Sequence, residues 1–216
     1  MNKILFDLDG TLTDPKVGIT SCIRYALEKL EVSHTDPLDW CIGPPLYDSF
    51  RQLIPGCTDE TVLKAVDLYR ERFAVTGMYE NVVYEGIEAM LEALVGKGYE
   101  LYVATSKPRV FAKKIIEHFK LDPHFHVVYG SELDGSRTDK SELIHHILSE
   151  AGGHRSEFVM IGDRKFDLIG AHKNFVRGIG ILWGYGSEEE LRAQPSIAIH
   201  RTPADLTEFL VANFNS

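Results

Sequence analysis

Cysteine is scarce in this chain, and long apolar runs are missing. The three cysteines, Cys22, Cys41 and Cys57, show no Cys-x-x-Cys spacing, which favours reduced thiols over a zinc site. No segment approaches the unbroken run of about 20 apolar residues that a membrane helix requires. Asp7 comes too early to leave room for the apolar region of a signal peptide. We therefore expect a cytoplasmic protein without a membrane partner.

Positive charge is also in deficit, since the formal net charge is −9 at pH 7. Such a chain has little nonspecific affinity for nucleic acid, so we expect no nucleic acid polymer among its partners. A small phosphorylated metabolite is itself an anion, and its site would need local basic side chains. The 216 residues allow one buried core with a modest insert, and we expect a monomer or a homodimer.

Short β-like runs alternate with helix-like segments along most of the chain. The predicted strands are residues 3–7, 100–105, 126–129, 158–162 and 178–182. The predicted helices are residues 87–97, 110–119, 140–151, 166–173 and 204–213. Several strands are continuously apolar, as in strands that are covered on both faces. The pattern predicts an α/β fold with a doubly wound parallel sheet.

Residues 16–82 interrupt this alternation. Helical patterns cover residues 17–30, 46–53 and 59–75, and no strand is evident among them. We predict a small all-helical domain inserted after the first strand. The core would then consist of residues 1–15 and 83–216, and the insert of residues 16–82.

The candidate site residues follow the predicted strands or open the helices between them. In chain order they are Asp7, Asp9, Gly10, Thr11, Thr105, Ser106, Lys107, Lys140, Asp163 and Asp167. Ligands of open α/β sheets bind beyond the carboxyl ends of the strands. We therefore expect these residues to converge at one edge of the sheet.

The charges of this set indicate phosphoryl chemistry. Carboxylates brought together repel unless a cation lies among them or one is protonated, and Mg²⁺ prefers all-oxygen sites. Attack by the Asp7 carboxylate would give an acyl phosphate and divide one displacement into two. Asp9 is placed to act as general acid and then as base. Lys140 would neutralise the reacting groups, and Thr105 or Ser106 would donate a hydrogen bond to a phosphoryl oxygen.

The motifs Asp-x-Asp-Gly-Thr at Asp7 and Gly-Asp-x-x-x-Asp at Gly162 resemble those of the haloacid dehalogenase superfamily. The likeness spans residues 3 to about 185. It implies a Rossmann-like core, a helical cap, and Mg²⁺ held by Asp7, the Asp9 backbone carbonyl and Asp163. Asp167 matches a position that serves either as metal ligand or as support for one. An aspartate at position 9 is typical of hydrolases and mutases in the superfamily, not of dehalogenases.

Within the superfamily, the chain resembles the phosphoglycolate phosphatase branch. The candidate substrate-binding residues are Gly10, Thr11, Ser106, Lys107, Arg51 and Tyr47. A small carboxylated substrate would need an arginine of the insert, such as Arg51 or Arg72. A nucleotide would need an aromatic platform, such as Tyr47 or Phe50. The predicted activity is thus hydrolysis of a small phosphate monoester, with a 5′-nucleotidase as an alternative.

Other interpretations stay open at this point. A sugar phosphomutase would share the core chemistry and differ in the second acceptor, and a binding module on an inactive fold is a non-catalytic alternative. Residues 105–108 also match a helix start, because Ser caps helices and Pro favours the first turn. Residues 183–186, Trp-Gly-Tyr-Gly, either flank the site or serve packing alone.

Overall fold

The computed structural model describes residues 2–214. The strands are β1 Lys3–Phe6, β2 Thr13–Asp14, β3 Val82–Val83, β4 Glu100–Pro108, β5 Phe125–Ser131, β6 Phe158–Gly162, β7 Arg177–Ile181 and β8 Ala198–His200. The helices are α1 Lys16–Lys29, α2 Leu46–Leu53, α3 Asp59–Phe73, α4 Ile87–Gly96, α5 Arg109–His118, α6 Lys140–Ala151, α7 Lys165–Lys173, α8 Glu188–Arg192 and α9 Pro203–Asn213. None of the helices within residues 2–214 is long and apolar enough to cross a bilayer.

The chain divides into two compact units. The first unit comprises Met1–Asp14 and Val83–Ser216, and the second comprises Pro15–Val82. The second unit is helical apart from Val82, which begins β3. Its interpretation as a cap domain stays a prediction.

A six-stranded sheet forms the centre of the first unit, in the order β5-β4-β1-β6-β7-β8. All five pairings between neighbouring strands are parallel. The chain starts in the middle of the sheet and adds strands first on one side and then on the other. The prediction of a doubly wound α/β fold is confirmed.

Register places the ends of three strands side by side. Phe6, the last residue of β1, pairs with Val103 of β4 and with Ile161 of β6. The residues that follow β1 and β6 therefore emerge next to each other at one sheet edge, beside the last part of β4. This is the edge that carries the candidate site.

Burial on both faces explains why these segments are strands. All five residues of β6 are buried, as are residues 101–105 of β4. Leu5 and Met160 of the sheet pack in one apolar cluster with Leu143 and Ile147 of α6. Each such side chain stabilises the fold by about 1.5–3 kcal/mol relative to an exposed one.

Two details of the β4 region differ from the sequence prediction. The strand continues to Pro108, because its last residues pair with Gly130 and Ser131 of β5 across a register shift. Ser106 consequently lies within the strand, and α5 begins only at Arg109 with Pro108 as its N-cap. The interpretation of residues 105–108 as a helix start is wrong.

The second unit has its own core. Helix α1 buries Ile19, Ile23 and Leu27, while α3 buries Val62 and Phe73. At the end of this unit, Arg72 donates two hydrogen bonds to Glu80, at 2.7 and 2.9 Å.

Candidate active site

Asp7 lies at the centre of the sheet edge. It directly follows β1, and its amide donates to Ile161 O at 2.9 Å, continuing the sheet pattern by one residue. Its side chain is almost fully buried. Lys140 Nζ donates to Asp7 Oδ1 at 2.9 Å and to Ala104 O at 2.8 Å. The sheet thus fixes the carboxylate, and one ammonium group neutralises it.

Lys140 is the first residue of α6. The Asp139 side chain caps this helix by accepting hydrogen bonds from the amides of Ser141 and Glu142. Lys140 Nζ also lies 2.8 Å from Asp167 Oδ1. Burial by itself lowers the pKa of Lys140, but the charges of Asp167 and Asp7 more than offset this, and the net shift is upward. The lysine is therefore held as a buried cation between two carboxylates.

Three carboxylates form a cluster that fits a divalent cation. One oxygen each from Asp7, Asp163 and Asp167 lies within 4.8 Å of the other two, and all three residues are buried. Burial, followed by the charges of Asp7 and Asp167, raises the pKa of Asp163 well above its ordinary value. Burial also raises the pKa of Asp167, to about 6. A hard cation among these oxygens would relieve the repulsion, and Mg²⁺ matches the donor set.

Each oxygen of Asp167 has one polar neighbour, an ion-pair partner on Oδ1 and a hydrogen-bond donor on Oδ2. Oδ1 faces Lys140, and Oδ2 accepts the Arg164 amide at 3.2 Å as part of the α7 capping box. Asp167 thereby differs from Asp163, whose oxygens accept, within residues 2–214, only from an uncharged hydroxyl and a backbone amide.

Asp9 is paired with a lysine of β4 and is not one of the three clustered carboxylates. Its Oδ2 lies 2.7 Å from Lys107 Nζ, in an ion pair that is mostly buried. Oδ1 is buried and has no hydrogen-bond partner among residues 2–214. Burial raises the pKa of Asp9, and Lys107 partly counteracts that rise. The sequence placed Lys107 with the substrate-binding residues, and it did not reveal this pairing.

The turn after β1 packs directly against Asp163. Gly10 has a φ of +87°, and a Cβ there would lie 2.3 Å from Asp163 Oδ2, so no side chain fits. Thr11 is fully buried, and its hydroxyl donates to Asp163 Oδ1 at 3.4 Å. Thr11 therefore contacts the acidic cluster, and its assignment to substrate binding stays a prediction.

Thr105 and Ser106 lie on the neighbouring strand β4. The Thr105 hydroxyl is buried and accepts the Lys107 amide at 3.2 Å. Ser106 is half-buried, and its carbonyl accepts a hydrogen bond from Ser131 Oγ at 2.8 Å. Both residues remain candidates for contacts with a phosphoryl group.

The candidate residues of the second unit are engaged with acids of that unit. Arg51 forms an ion pair with Asp59, and Tyr47 Oη donates to the same carboxylate at 2.7 Å. The Arg51 guanidinium also lies 5.3 Å from the Tyr47 ring centroid. Arg72 is paired with Glu80 in the same way. Phe50 is fully buried, so its assignment as an aromatic platform is wrong.

Sequence reasoning missed how residues 183–186 contact the acidic cluster. The Tyr185 amide donates to Asp163 Oδ2 at 2.8 Å, and Trp183 Nε1 donates to Thr11 O at 2.9 Å. The sequence signal for this contact was the alternation of glycine with large aromatic residues directly after a strand. Glycine at such a position permits another segment of backbone to approach closely.

Buried carboxylates with Lys140 between two of them lie at the carboxyl edge of a doubly wound sheet, which is where open α/β enzymes bind their ligands. Residues 4–181 match the family of haloacid dehalogenase-like hydrolases. The chain belongs to this family, and the resemblance inferred from its motifs is confirmed.

Similar proteins are named mainly for phosphate chemistry. A 5′-nucleotidase of Pseudomonas aeruginosa is 55% identical over 197 residues, which cover 90% of this chain and 89% of the relative. Tyrosine-protein kinase PtkA of Mycobacterium tuberculosis is 33% identical over 94% of this chain and 69% of its own length. A phosphoglycolate phosphatase of Colwellia psychrerythraea is 24% identical over 87% of each chain. The crystal structure of a predicted phosphatase from Clostridium acetobutylicum has a TM-score of 0.93 and 42% identity, covering 98% of each chain.

These likenesses establish the class of enzyme. The chain is a phosphatase of the haloacid dehalogenase-like family, a phosphoric monoester hydrolase. The prediction of an enzyme of this type is confirmed. The phosphoglycolate phosphatase is the more distant of the two named phosphatases, so the specific substrate needs a separate argument.

Proposed function

We propose that this phosphatase cleaves its substrate through an aspartyl phosphate on Asp7. The supporting observation is the Lys140 ammonium group, which lies 2.9 Å from Asp7 Oδ1 while both residues are buried. A buried, neutralised carboxylate at the carboxyl edge of the sheet is a suitable nucleophile for phosphorus. In this role Lys140 would also balance charge on the transferred phosphoryl group.

Asp9 would move the proton in both steps. In the first step a carboxylate oxygen of Asp7 bonds to phosphorus, the ester P–O bond breaks, and Asp9 protonates the leaving oxygen. In the second step water attacks phosphorus and gives its proton to Asp9, and the bond between phosphorus and Asp7 breaks. Inorganic phosphate leaves, and both aspartates return to their starting states. Burial of Asp9, which raises its pKa, favours the protonated form that the first step needs.

Mg²⁺ would be held by Asp7, Asp163 and the backbone carbonyl of Asp9. It would supply positive charge between these oxygens and the incoming phosphoryl group. We propose that Asp167 supports Lys140 instead of binding the ion, because its Oδ1 already faces a cation, the Lys140 ammonium group, and its Oδ2 accepts the Arg164 amide. Thr105 and Ser106 would donate hydrogen bonds to phosphoryl oxygens.

A nucleoside 5′-monophosphate is the substrate class that we propose. The 5′-nucleotidase relative shares 55% of its residues over nearly the whole chain. Phosphoglycolate carries a carboxylate, which needs a cationic partner. Arg51 and Arg72, the arginines considered for that role, each face an acidic residue of their own unit. A neutral nucleoside makes no such demand.

A hydrolysis screen tests both parts of the proposal. Purified protein with Mg²⁺ is assayed for released phosphate against nucleoside 5′-monophosphates, phosphoglycolate and hexose phosphates, and kcat/KM is compared. We expect the largest kcat/KM for a nucleoside monophosphate, and no turnover with the Asp7→Asn variant. A higher value for phosphoglycolate would contradict the substrate class alone. Formation of a hexose phosphate isomer without phosphate release would instead indicate a mutase.

A further inference from the structure

Residues 183–186 form a short segment that we call the clasp. It lies between β7 and α8 at the carboxyl edge of the sheet. Its beginning is fixed to the edge strand, because the Leu182 amide donates to His200 O at 2.9 Å. The catalytic steps proposed above make no use of this segment.

The clasp joins the turn after β1 to the turn after β6. Trp183 Nε1 donates to Thr11 O at 2.9 Å, and the Tyr185 hydroxyl donates to Asp14 Oδ1. Between these two contacts, the Tyr185 amide donates to Asp163 Oδ2 at 2.8 Å. The Trp183 side chain therefore anchors the clasp to the turn after β1 and the Tyr185 side chain anchors it to β2, while the clasp backbone holds the carboxylate that follows β6.

The fit between the clasp and the two turns is tight. A Cβ on Gly184 would lie 2.2 Å from Gly10 O and 2.5 Å from Asp163 Oδ2. Such distances exclude any side chain, so the backbone of the clasp touches both turns directly. Movement of the clasp would therefore move Asp163.

Asp163 needs hydrogen bonds that hold its carboxylate in place, because the neighbouring carboxylates repel it. It is fully buried beside two other carboxylates, and repulsion pushes its charged group away from them. The Tyr185 amide on Oδ2 and the Thr11 hydroxyl on Oδ1 oppose that push. The anchors of the clasp thus determine where a carboxylate of the cluster lies.

We propose that Trp183 and Tyr185 are positioning residues that set the affinity of the site for Mg²⁺. They would act through Asp163, because they anchor the segment whose Tyr185 amide donates to Asp163 Oδ2. The inference rests on the proposed Mg²⁺ site and adds a role for residues that touch neither substrate nor metal. Loss of groups that orient a metal ligand typically weakens metal binding by about 10–100-fold.

The experiment compares Tyr185→Phe and Trp183→Phe with Tyr99→Phe in the full chain. Tyr99 is a matched control, because its buried hydroxyl donates to Leu210 O at 3.0 Å elsewhere in the same unit. For each protein, the melting temperature and the rate of hydrolysis are measured as functions of Mg²⁺ concentration. The melting series reports binding of the ion without reference to activity.

We expect Tyr185→Phe and Trp183→Phe to raise the half-saturating Mg²⁺ concentration by about tenfold in both series. At saturating Mg²⁺, kcat should return to within about twofold of wild type, since no reacting group is lost. Tyr99→Phe should lower the melting temperature without Mg²⁺ and leave the half-saturating concentration unchanged.

Unchanged Mg²⁺ half-saturation in both clasp variants, with wild type still responding to Mg²⁺, would overturn the clasp proposal and leave the proposed function intact. If Tyr185→Phe does not fold, Trp183→Phe decides the question alone. If the melting temperature of the wild type does not change with Mg²⁺ concentration, both the proposed Mg²⁺ site and the clasp proposal are overturned.

Discussion

Lys107 Nζ lies 2.7 Å from Asp9 Oδ2, so the candidate acid–base group has a buried cationic partner of its own. Burial and Lys107 act on the pKa of Asp9 in opposite directions, and burial is the larger effect. The lysine therefore limits how far the pKa of the acid rises.

Replacing Lys107 should move the pH profile of the enzyme. In Lys107→Met the pKa of Asp9 rises further, because the opposing charge is gone. The first step needs protonated Asp9, so the alkaline limb of kcat/KM against pH should shift to higher pH. The measurement is kcat/KM across pH for wild type, Lys107→Met and the surface control Lys173→Met. If the alkaline limb of Lys107→Met lies at the same pH as that of the wild type, Lys107 does not affect the group that transfers the proton.

Asp7→Asn should abolish turnover while preserving the fold. The amide is a poor nucleophile of nearly equal size, and loss of a covalent nucleophile costs far more than about a hundredfold in kcat. The control is Asp205→Asn, which alters an exposed residue of α9. Turnover is measured beside a far-UV spectrum of each protein. Retention of more than about a hundredth of wild-type kcat would exclude Asp7 as the nucleophile.

Removal of divalent metal should stop hydrolysis reversibly. The clustered oxygens of Asp7 and Asp163 need a cation before an anionic substrate can approach. EDTA should abolish activity, and Mg²⁺ should restore it. Ca²⁺ should inhibit, because it takes more ligands at longer distances than an in-line displacement tolerates. Full activity in protein shown by elemental analysis to be metal-free would refute the Mg²⁺ assignment.

The Arg72–Glu80 pair should make the stability of the second unit depend on pH. Hydrogen bonding to Arg72 holds the pKa of Glu80 below its ordinary value of 4.5. The stabilisation is therefore present at neutral pH and is lost as pH falls through the folded-state pKa. Glu80→Gln should lower the free energy of unfolding by about 0.5–1 kcal/mol at pH 7.

Urea titrations at pH 7 and at acidic pH measure this effect, with Glu28→Gln as the exposed control from α1. The wild type and Glu80→Gln should converge in stability as pH decreases. An equal difference between them at both pH values would show that the ion pair is not its source.

Much of the fold followed from local signals, and the contacts within the site did not. Continuous apolar runs and the motif at Asp7 are formed by residues adjacent in the chain, so they can be recognised from a single sequence without knowledge of the fold. The three-residue strand β8 and the five-residue helix α8 were missed, because elements this short carry too little periodicity.

Side-chain partners depend on packing between distant segments. Lys140 stands 133 positions from Asp7, and only its place at a helix start, together with family likeness, pointed to it. The pairing of Lys107 with Asp9 needed the continuation of β4, which a register shift permits and sequence patterns do not reveal. The acidic partners of Arg51 and Arg72 could not be predicted from the sequence for the same reason.

The acidic cluster and its two lysines have a consequence for how substrate arrives and product leaves. Four aspartates and two lysines meet at the sheet edge, which leaves two negative charges when all are ionised. One divalent cation cancels that excess, and with Asp9 protonated, as the first step requires, the loaded site carries a single positive charge. Long-range attraction would then contribute little to the capture of a phosphate ester by a chain of net charge −9. After the second step Asp9 again carries a proton, so only one surplus positive charge would retain inorganic phosphate, and its release would depend mainly on the breaking of short-range contacts.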